Sequence, residues 1–478
     1  MVYLIAILIY LFALTGIGIY KSRQVKTQAD FAVAGRTLSP WVLVCTMLAV
    51  WIGTGSIVGN AGMAYDSGLA ALIIPIGSVI GMIVLTRVAP KARDYDVYSV
   101  PEIIGSRYGQ IARLLAVVAL VLAYMVIVSY QFNAGGAVLN AILRDDAGHP
   151  LISVQTGTIL AAVFIITYTI LAGLMSLAYT DIVTGIIITL SLIIAFPVLW
   201  AKAGGWSGME ASFAAMGRPE HMKFRGVFSR AEVINYTLPS FLLIMGDANQ
   251  YQRFFASRNA KGATTATTFM IVVVLVIESL IILEAWVASS LIPNAAVGKY
   301  VLIYAAKDFM PTALGLLFLV TIVGIIISTA DSFLLIPATC VIRDVYLNYI
   351  KPKAAEKQVI FLSRLLVLAL GIVAYLVSLA FAQSTTIFHR AMYAYTIYGA
   401  AITPCLVAAL FWKGATRYGA IASILAGTIT TLVWSGLDKD RLPAWAAELD
   451  AVLPAITLSV LSLVLVSLLT RKKAAGQN

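Results

Sequence analysis

Residues 313–342 read ALGLLFLVTIVGIIISTADSFLLIPATCVI, an apolar run interrupted near its centre by the polar group STADS at residues 328–332. An aspartate at the centre of a membrane helix costs about 2.5–3.5 kcal/mol, so its presence in this run indicates a function. The two serines of the group are spaced i and i+4 and share one helical face, with the threonine beside them. Hydroxyl and carboxylate oxygens collected in this way favour a small hard cation such as sodium. Bonding of the hydroxyls to carbonyls of their own helix is the structural alternative.

Similar apolar runs recur along the whole chain of 478 residues, which is 61% hydrophobic and only 12% charged. A helix of about 20 residues crosses the hydrocarbon core of a bilayer. The runs number thirteen and lie at about 2–20, 40–63, 68–88, 112–142, 152–172, 177–201, 232–250, 266–291, 311–342, 359–382, 391–412, 418–436 and 451–470. The sequence therefore predicts an all-α polytopic membrane protein with about 13 transmembrane helices.

Charged residues beside these runs predict the orientation of the chain. No positive residue precedes the first run, and Lys21, Arg23 and Lys26 follow it, which predicts an uncleaved anchor with its N-terminus outside. With thirteen spans, the C-terminus then lies in the cytoplasm. We expect the protein to be in the cell inner membrane. Positive residues on the predicted cytoplasmic segments outnumber those outside by about two to one, as the positive-inside rule requires. The net charge of +11 follows from this topology, and no nucleic-acid partner is expected.

Other residue types argue against an enzyme. Cys45, Cys340 and Cys405 all fall within apolar runs and are expected to be packing residues. The three histidines are scattered, so no catalytic constellation is expected. The longest gaps between runs, at about 203–231 and 343–358, hold no soluble domain, which argues against a sensor. We expect one membrane unit that functions as a monomer.

Two of the runs contain signs of a broken helix. In the second run four glycines lie among polar residues at 53–62, and in the seventh Pro239 and the pair Gly246-Asp247 interrupt the apolar pattern. Irregular backbone at membrane depth persists only where protein or a water-filled cavity satisfies it, although glycine also serves close helix packing. Two breaks five spans apart predict two inverted five-helix repeats with flanking helices. The predicted division of the chain is residues 1–39 (first helix and loop), 40–202 (first repeat), 203–231 (external loop), 232–412 (second repeat) and 413–478 (two helices and tail).

Three motifs give the chain a resemblance to the solute:sodium symporter family. They are ISTADS at 327–332, AYTD at 178–181 and GDANQYQR at 246–253. The resemblance implies the leucine-transporter-like fold and sodium as the co-transported ion. It also implies a sodium site between the first broken helix and the eighth core helix, formed by Ala49, Ile52, Ile325, Ser328 and Thr329. A second sodium site, present in some members, would consist of Asp181, Ser328, Asp331 and Ser332. For Asp181, a helix cap is the structural alternative.

Candidate solute-binding residues lie at the two breaks and on the helices around them. They are Trp51, Thr54, Ser56, Gln131, Asp247, Tyr395 and Tyr398. The segment WIGTG at 51–55 resembles a segment of high-affinity choline transporters, in which the tryptophan helps to cage a quaternary ammonium. The other cage positions hold Ile127 and Asp247, so choline itself is not expected. An aromatic face opposite Asp247 predicts a solute with a positive or donor-rich group, and a structural role in the loop is the alternative for Asp247.

These features predict a symporter, not an enzyme, that uses sodium to import a small polar organic solute by alternating access. Proton coupling is the main alternative, because Asp181, Asp331 and Glu278 are acids within apolar runs. A transporter-like sensor is a further alternative. A channel is not favoured, because the polar residues gather at two breaks and do not line one continuous path.

Overall fold

The apolar runs form helices, because a helix satisfies its own backbone hydrogen bonds where no water is present. The structure, a computed structural model, describes residues 2–22, 27–144, 149–171, 174–294, 298, 300–381 and 386–474. Arg23 and Lys26, two of the predicted cytoplasmic charges, lie outside the described residues. The described helices are α1 (Val2–Ser22), α2 (Gln28–Val33), α3 (Pro40–Trp51), α4 (Ala61–Ser67), α5 (Pro75–Asp94), α6 (Val100–Tyr108), α7 (Gln110–Ile142), α8 (Val154–Leu171), α9 (Leu174–Lys202), α10 (Gly205–Ala215), α11 (Arg230–Gly246), α12 (Ala248–Ala256), α13 (Ala260–Leu291), α14 (Val301–Asp308), α15 (Thr312–Cys340), α16 (Glu356–Phe381), α17 (Ile387–Phe411), α18 (Arg417–Gly436), α19 (Ala444–Ala447) and α20 (Val452–Ala474).

Shorter segments connect or extend these helices. Turns of 3-10 helix occur at Ala34–Arg36, Gly68–Ile73, Pro219–Met222 and Lys439–Arg441, and π-helix occurs at Gly55–Asn60 and Val341–Ile350. All thirteen predicted runs coincide with helices. Among the described residues, 10 helices are long and apolar enough to cross a membrane, and the number rises to 11 if the bent pair that begins with α3 counts as one span. The helix α5 and the pair α11–α12 occupy the positions of the remaining predicted spans.

Both predicted breaks are present. Helix α3 ends at Trp51, Ile52 is extended (φ −76°, ψ 90°), and the chain resumes as the π-helix Gly55–Asn60. The segments before and after this break are bent by 52°. Helix α11 ends at Gly246, and Asp247 (φ −57°, ψ 113°) separates it from α12. We call these the first break and the second break.

Long helices surround the first break. Helix α3 packs against α9, α13 and α15, while α7 packs against α15 and α17. The polar group of α15 thereby faces the end of α3, because Ser328 bonds to the carbonyl of Ala49 in that helix and Thr329 to the carbonyl of Ile52 just after it. The first break thus lies inside the bundle and not at its lipid-facing surface.

The two ends of the bundle differ. One end, which we call the loop face, carries α10 and Pro219–Met222, and it is joined to α13 by a hydrogen bond from Trp286 Nε1 to the carbonyl of His221 (2.9 Å). The opposite end, the arginine face, carries Arg36, Arg93 and Arg258. Arg36 forms an ion pair there with Asp96.

On the arginine face, a short backbone pairing joins the start of α3 to the end of α12. Leu38 N donates to Ala256 O (3.1 Å), and Arg258 N donates to Leu38 O (3.3 Å). Arg258 Nε also donates to Thr37 O (2.7 Å), and Arg93 Nε donates to Ser257 O (2.8 Å). The helical segments that lie between each break and this face are therefore linked by hydrogen bonds.

Candidate functional site

Five oxygen atoms meet where the first break contacts α15. Ser328 Oγ lies 3.0 Å from Ala49 O and 3.3 Å from Ile325 O. Thr329 Oγ1 lies 3.5 Å from Ala49 O and 3.4 Å from Ile52 O. The structure thus brings together all five residues of the predicted first sodium site, with three carbonyls and two hydroxyls.

The spacing of these oxygens suits a small cation. Oxygens that surround a hard cation at about 2.4 Å, at right angles to one another, lie about 3.4 Å apart. Three of the four separations are 3.3–3.5 Å, and the fourth is 3.0 Å. Each hydroxyl can rotate its hydrogen away and offer a lone pair. All five residues are at most 5% exposed, so water does not compete strongly at this position.

Local sequence explains why these carbonyls are available. A helix leaves its last carbonyls without intrahelical partners, and α3 ends within three residues of Ala49. Gly53 permits close contact with α15, because a Cβ atom at that position would lie 2.9 Å from Cγ2 of Thr329. The glycine and the early end of α3 together let the hydroxyls of α15 reach the backbone of the first break.

A second polar cluster lies beside the first and includes two carboxylates. Thr46 Oγ1 donates to Asp181 Oδ2 (2.5 Å), and Arg253 Nη2 lies 3.5 Å from the same oxygen. Asp181 lies well inside α9 and does not cap that helix. The other oxygen of Asp181 and Oδ1 of Asp331 are buried and make no hydrogen bond within the described part of the chain.

Arg253 is the member of this cluster that the sequence motif contained but that we did not predict as a site residue. Its Nη2 donates to Ser332 Oγ (2.9 Å) and its Nε donates to Thr46 Oγ1 (3.3 Å). The guanidinium is fully buried. The cluster thus contains one arginine and two aspartates, so it carries one excess negative charge when both aspartates are ionised. Ser328 bonds to the first cluster, whereas Ser332 bonds to Arg253.

A small cavity adjoins the first break on the side away from α9. Its volume is about 10 Å³, and it is lined by Val50, Trp51, Gly53, Ile127, Tyr130, Gln131, Leu243, Thr329, Phe333 and Tyr395. Such a space has room for roughly one water molecule, so an organic solute fits only after the surrounding helices move. Three of the predicted solute residues line this cavity, namely Trp51, Gln131 and Tyr395. Thr329 connects the cavity to the five-oxygen cluster.

Gln131 has an unused donor at this cavity. Its Oε1 accepts a hydrogen bond from Thr54 Oγ1, whereas its Nε2 is buried and makes no hydrogen bond within the described part of the chain. A Cβ atom on Gly53 would lie 3.3 Å from that nitrogen, so the amide points at the first break. Tyr130 and Tyr395 bond to each other through their hydroxyls on the opposite side.

Trp51 is held by Glu278, an acid whose partner could not be predicted from the sequence. The indole Nε1 donates to Glu278 Oε1 (2.8 Å), and Ser78 Oγ donates to Oε2 (3.0 Å). Ser56 also hydrogen-bonds to Glu278. The carboxylate is thus bonded to groups from both sides of the first break.

Asp247 closes the second break. Tyr124 OH donates to Asp247 Oδ1 (2.6 Å), and Asn249 N donates to the same oxygen (3.2 Å), which caps α12. The ring of Tyr398 lies 5.6 Å from that of Tyr124 and is fully buried. The sequence predicted Trp51 and Asp247 on opposite sides of one pocket, but the structure gives them different partners, and neither Asp247 nor Tyr398 lines the cavity.

Comparisons with known proteins agree with this architecture. The sequence profile of the Sodium:solute symporter family matches residues 31–427. The osmoregulated proline transporter OpuE of Bacillus subtilis is 26% identical over 496 residues, which cover 98% of this chain and 95% of that protein. The high-affinity proline transporter PutP of Bacillus subtilis is 26% identical over 484 residues, which cover 95% of each chain.

Solved structures of transporters share the fold. A substrate-bound, outward-open Na⁺-coupled sialic acid symporter superimposes with a TM-score of 0.82 at 17% identity, covering 99% of this chain and 98% of that one. The transporter MhsT in complex with L-phenylalanine gives a TM-score of 0.57 at 13% identity, covering 90% of this chain and 98% of that one. The fold is therefore leucine-transporter-like, as predicted. Because the family profile extends over most of its length, the chain belongs to the sodium:solute symporter family, and it is a membrane transporter that carries sodium and not an enzyme.

Proposed function

We propose that this symporter imports a small zwitterionic solute, of the size of proline, into the cavity beside the first break. The observation that carries this proposal is the buried Nε2 of Gln131, which points at the break and donates to no acceptor among the described residues. An unsatisfied buried donor is costly, so a solute that supplies an acceptor is favoured. The relatives named as proline transporters suggest which solute to test first.

A carboxylate on the solute fits the surroundings of Gln131. The half-helix that starts after Gly53 directs its free amides and the positive end of its dipole toward the break. Discontinuous helices of transporters use such ends to bind anionic groups of their substrates. A sodium ion at the five-oxygen cluster would add a positive charge beside Thr329. The remaining lining, including Ile127, Leu243 and Phe333, suits an aliphatic body.

A zwitterion keeps the positive or donor-rich group that the sequence suggested, but we do not place that group at Asp247. That expectation depended on Asp247 facing the solute, and the Asp247 carboxylate accepts hydrogen bonds from Tyr124 and Asn249. A solute amine would have to displace Tyr124 in order to reach it. We therefore propose that recognition depends on Gln131 and the first break, with Trp51 and Tyr395 as walls. Thr54 would support Gln131, to which it donates, and Ser56 would support Trp51 through Glu278.

We propose that the first sodium ion binds to Ala49 O, Ile52 O, Ile325 O, Ser328 Oγ and Thr329 Oγ1. Sodium at this position links α3 to α15 and would stabilise the arrangement that receives the solute, so that each ligand raises the affinity for the other. A membrane potential of 100 mV contributes roughly 2.3 kcal/mol for each charge that enters, which supports accumulation of the solute.

A second sodium ion is proposed for the cluster of Asp181, Asp331 and Ser332. The supporting observation is that one oxygen of each aspartate is buried and makes no hydrogen bond in the described chain, while Arg253 neutralises only one of the two charges. A cation would supply the missing charge. Ser328, the fourth predicted ligand of this site, has its hydroxyl in the five-oxygen cluster, 3.0 Å from Ala49 O.

The orientation is part of the proposal. The arginine face would be cytoplasmic, with the N-terminus outside, the C-terminus inside and a single chain as the functional unit in the inner membrane. The residue ranges 1–39, 40–202, 203–231, 232–412 and 413–478 remain the proposed division of the chain. Labelling of single introduced cysteines on the loop face and on the arginine face with an impermeant reagent tests the orientation.

Uptake by the purified protein in proteoliposomes tests the function. We expect an inward sodium gradient to drive accumulation of radiolabelled proline, a potential that is negative inside to increase it, and potassium in place of sodium to abolish it. Proline, glycine betaine, choline and a monocarboxylate without an amine should be compared. Preference for choline over proline would contradict the proposed solute class. Uptake that a pH step drives without sodium would support the proton-coupled alternative.

A further inference from the structure

Glu278 is a buried acid that the proposed transport cycle does not use. It lies in the middle of α13 and is 4% exposed. Its two oxygens accept hydrogen bonds from neutral donors: Trp51 Nε1 at 2.8 Å, Ser78 Oγ at 3.0 Å, and the side chain of Ser56. Acids at membrane depth are costly, so a buried acid with three neighbouring donors requires an explanation.

The donors to Glu278 come from three elements. Trp51 is the last residue of α3, Ser56 lies in the half-helix on the other side of the first break, and Ser78 lies in α5. The carboxylate therefore connects both halves of the broken helix to α13 and α5. No other acid in the described part of the chain accepts a hydrogen bond from Trp51.

The indole of Trp51 reaches from this carboxylate to the cavity. Its N–H edge bonds to Glu278, and the residue also lines the cavity that contains the unused amide of Gln131. A buried N–H loses its hydrogen bond if the ring turns away from this acceptor, so Glu278 restricts the indole to one orientation. The ring is rigid apart from two side-chain torsions, and fixing its N–H therefore fixes the face that it presents.

We propose that Glu278 is a positioning residue that holds Trp51 as one wall of the solute site, and so sets solute affinity without touching solute or sodium. This inference rests on the proposed function, because it takes the cavity beside the first break as the solute site. Loss of the carboxylate leaves the indole N–H without an acceptor and lets the ring turn. The Trp51 ring then has to be ordered when the solute binds, and the entropy lost in that step lowers the affinity for the solute.

The chain offers a matched control on the same helix. Glu284 is also in α13 and fully buried, but neither of its oxygens makes a hydrogen bond within the described chain. A substitution there removes an acid from the same helix without removing an acceptor from Trp51. Glu284→Gln therefore controls for general effects of changing a buried acid in α13.

The test is sodium-driven proline uptake by Glu278→Ala, Glu278→Gln, Trp51→Phe and the double variant Trp51→Phe with Glu278→Ala. We expect Glu278→Ala to raise the solute KM roughly fivefold to tenfold, with the sodium half-saturation and maximal rate within about twofold of wild type. Glu278→Gln keeps an acceptor oxygen and should restore most of the affinity. In the Trp51→Phe background, Glu278→Ala should add no further change, because the interaction is already absent.

Several outcomes would overturn the proposal. If the fold-changes in solute KM of Trp51→Phe and Glu278→Ala multiply in the double variant, the two residues act independently. If Glu284→Gln raises the KM as much as Glu278→Ala does, Glu278 acts on general packing. A pH step in the uptake profile that disappears in Glu278→Gln would show that the carboxyl exchanges a proton during transport. If Glu278→Ala does not reach the membrane, Glu278→Leu, which fills similar space and accepts no hydrogen bond, carries the test through the same KM comparison. Failure of the proposed function is distinguishable, because Trp51→Ala and Gln131→Ala would then both leave KM unchanged.

Discussion

The two breaks differ in what satisfies their backbone. At the first break, carbonyls of Ala49 and Ile52 are approached by neutral hydroxyls from α15, at 3.0–3.5 Å. At the second break, the side chain of Asp247 itself caps α12 and is held by Tyr124 at 2.6 Å. The first break thus depends on two hydroxyls of a distant helix. At the second break, Asp247 caps α12 itself, and the carbonyls of Leu242 and Met245 accept hydrogen bonds from Thr403 Oγ1 and Tyr251 OH.

This difference indicates where a ligand can enter. A hydroxyl can turn its hydrogen away and coordinate a cation together with the carbonyl that it had bonded to, so hydroxyls and carbonyls lose little when sodium binds. A carboxylate that already accepts two hydrogen bonds gains less from a new partner and loses more if its donors leave. The first break therefore has the properties of a binding site, whereas the hydrogen bonds of Asp247 hold the second break in one conformation.

The largest expected effect tests the first break directly. We expect Thr329→Ala and Ser328→Ala each to raise the sodium concentration for half-maximal uptake roughly tenfold or more, because each removes a ligand whose hydrogen bonds are buried. Sodium dependence of uptake and of thermal stability are the two measurements, with Thr329→Ser as the control that keeps the hydroxyl. Wild-type sodium dependence in both alanine variants, at normal abundance, would remove the cluster from consideration as the sodium site.

A second prediction concerns the acids beside the first break. We expect Asp181→Asn and Asp331→Asn to lower the number of sodium ions moved per solute by about one, because each removes charge from the cluster around Arg253. The measurement is the coupling ratio from reversal potentials in proteoliposomes. Asp344→Asn removes a buried acid that pairs with Arg113, outside this cluster, and serves as the control. An unchanged coupling ratio in both asparagine variants would make the two acids structural.

Gln131 is expected to give a smaller effect, confined to the solute. Gln131→Ala removes the amide that we assign to the solute carboxylate, and the solute KM should rise about fivefold. Gln131→Glu should weaken binding further, since it places an acid near the solute carboxylate. Uptake at saturating sodium measures both. A cationic solute that binds more tightly to Gln131→Glu than to the wild type would show that the cavity is correct and that the carboxylate is absent from the natural solute.

The smallest effect on transport is expected at the second break. Asp247→Asn keeps an acceptor for Tyr124 and Asn249, so solute and sodium affinities should both remain within about twofold, while the free energy of unfolding falls by about 1 kcal/mol. Thermal unfolding in detergent and uptake kinetics provide the two values. Tyr124→Phe, which removes one donor, should lower stability similarly. A selective loss of solute affinity in Asp247→Asn would return this residue to the solute site.

Local signals explain what the sequence could predict. Hydroxyls spaced along one face of α15 and glycines at residues 53–62 are features of a few consecutive residues, and they indicated the first break and its partners. Ala49 and Ile52 were predicted only from the family resemblance. Each contributes a backbone carbonyl, which every residue has, so their residue types do not reveal this role. Membrane spans were likewise predictable, because apolar length is itself local.

Contacts between distant residues explain what the sequence could not predict. Trp51 and Glu278 are 227 residues apart, and Tyr124 and Asp247 are 123 residues apart. Glu278 and Glu284 look alike in sequence, since both are single acids in one apolar helix, yet only Glu278 has donors among the described residues. The sequence therefore indicated which residues are polar at membrane depth but not which of them share a partner.

The backbone pairing between Leu38 and the end of α12 has a consequence for leakage. Because hydrogen bonds join the start of α3 to Ala256 and Arg258, a rotation of α3 away from α15 carries α12 with it. The pathways that lead from the two breaks to the arginine face would then open and close as one mechanical unit. We therefore expect sodium that leaves along α3 to require movement of α12 as well, which would limit uncoupled flux of the ion.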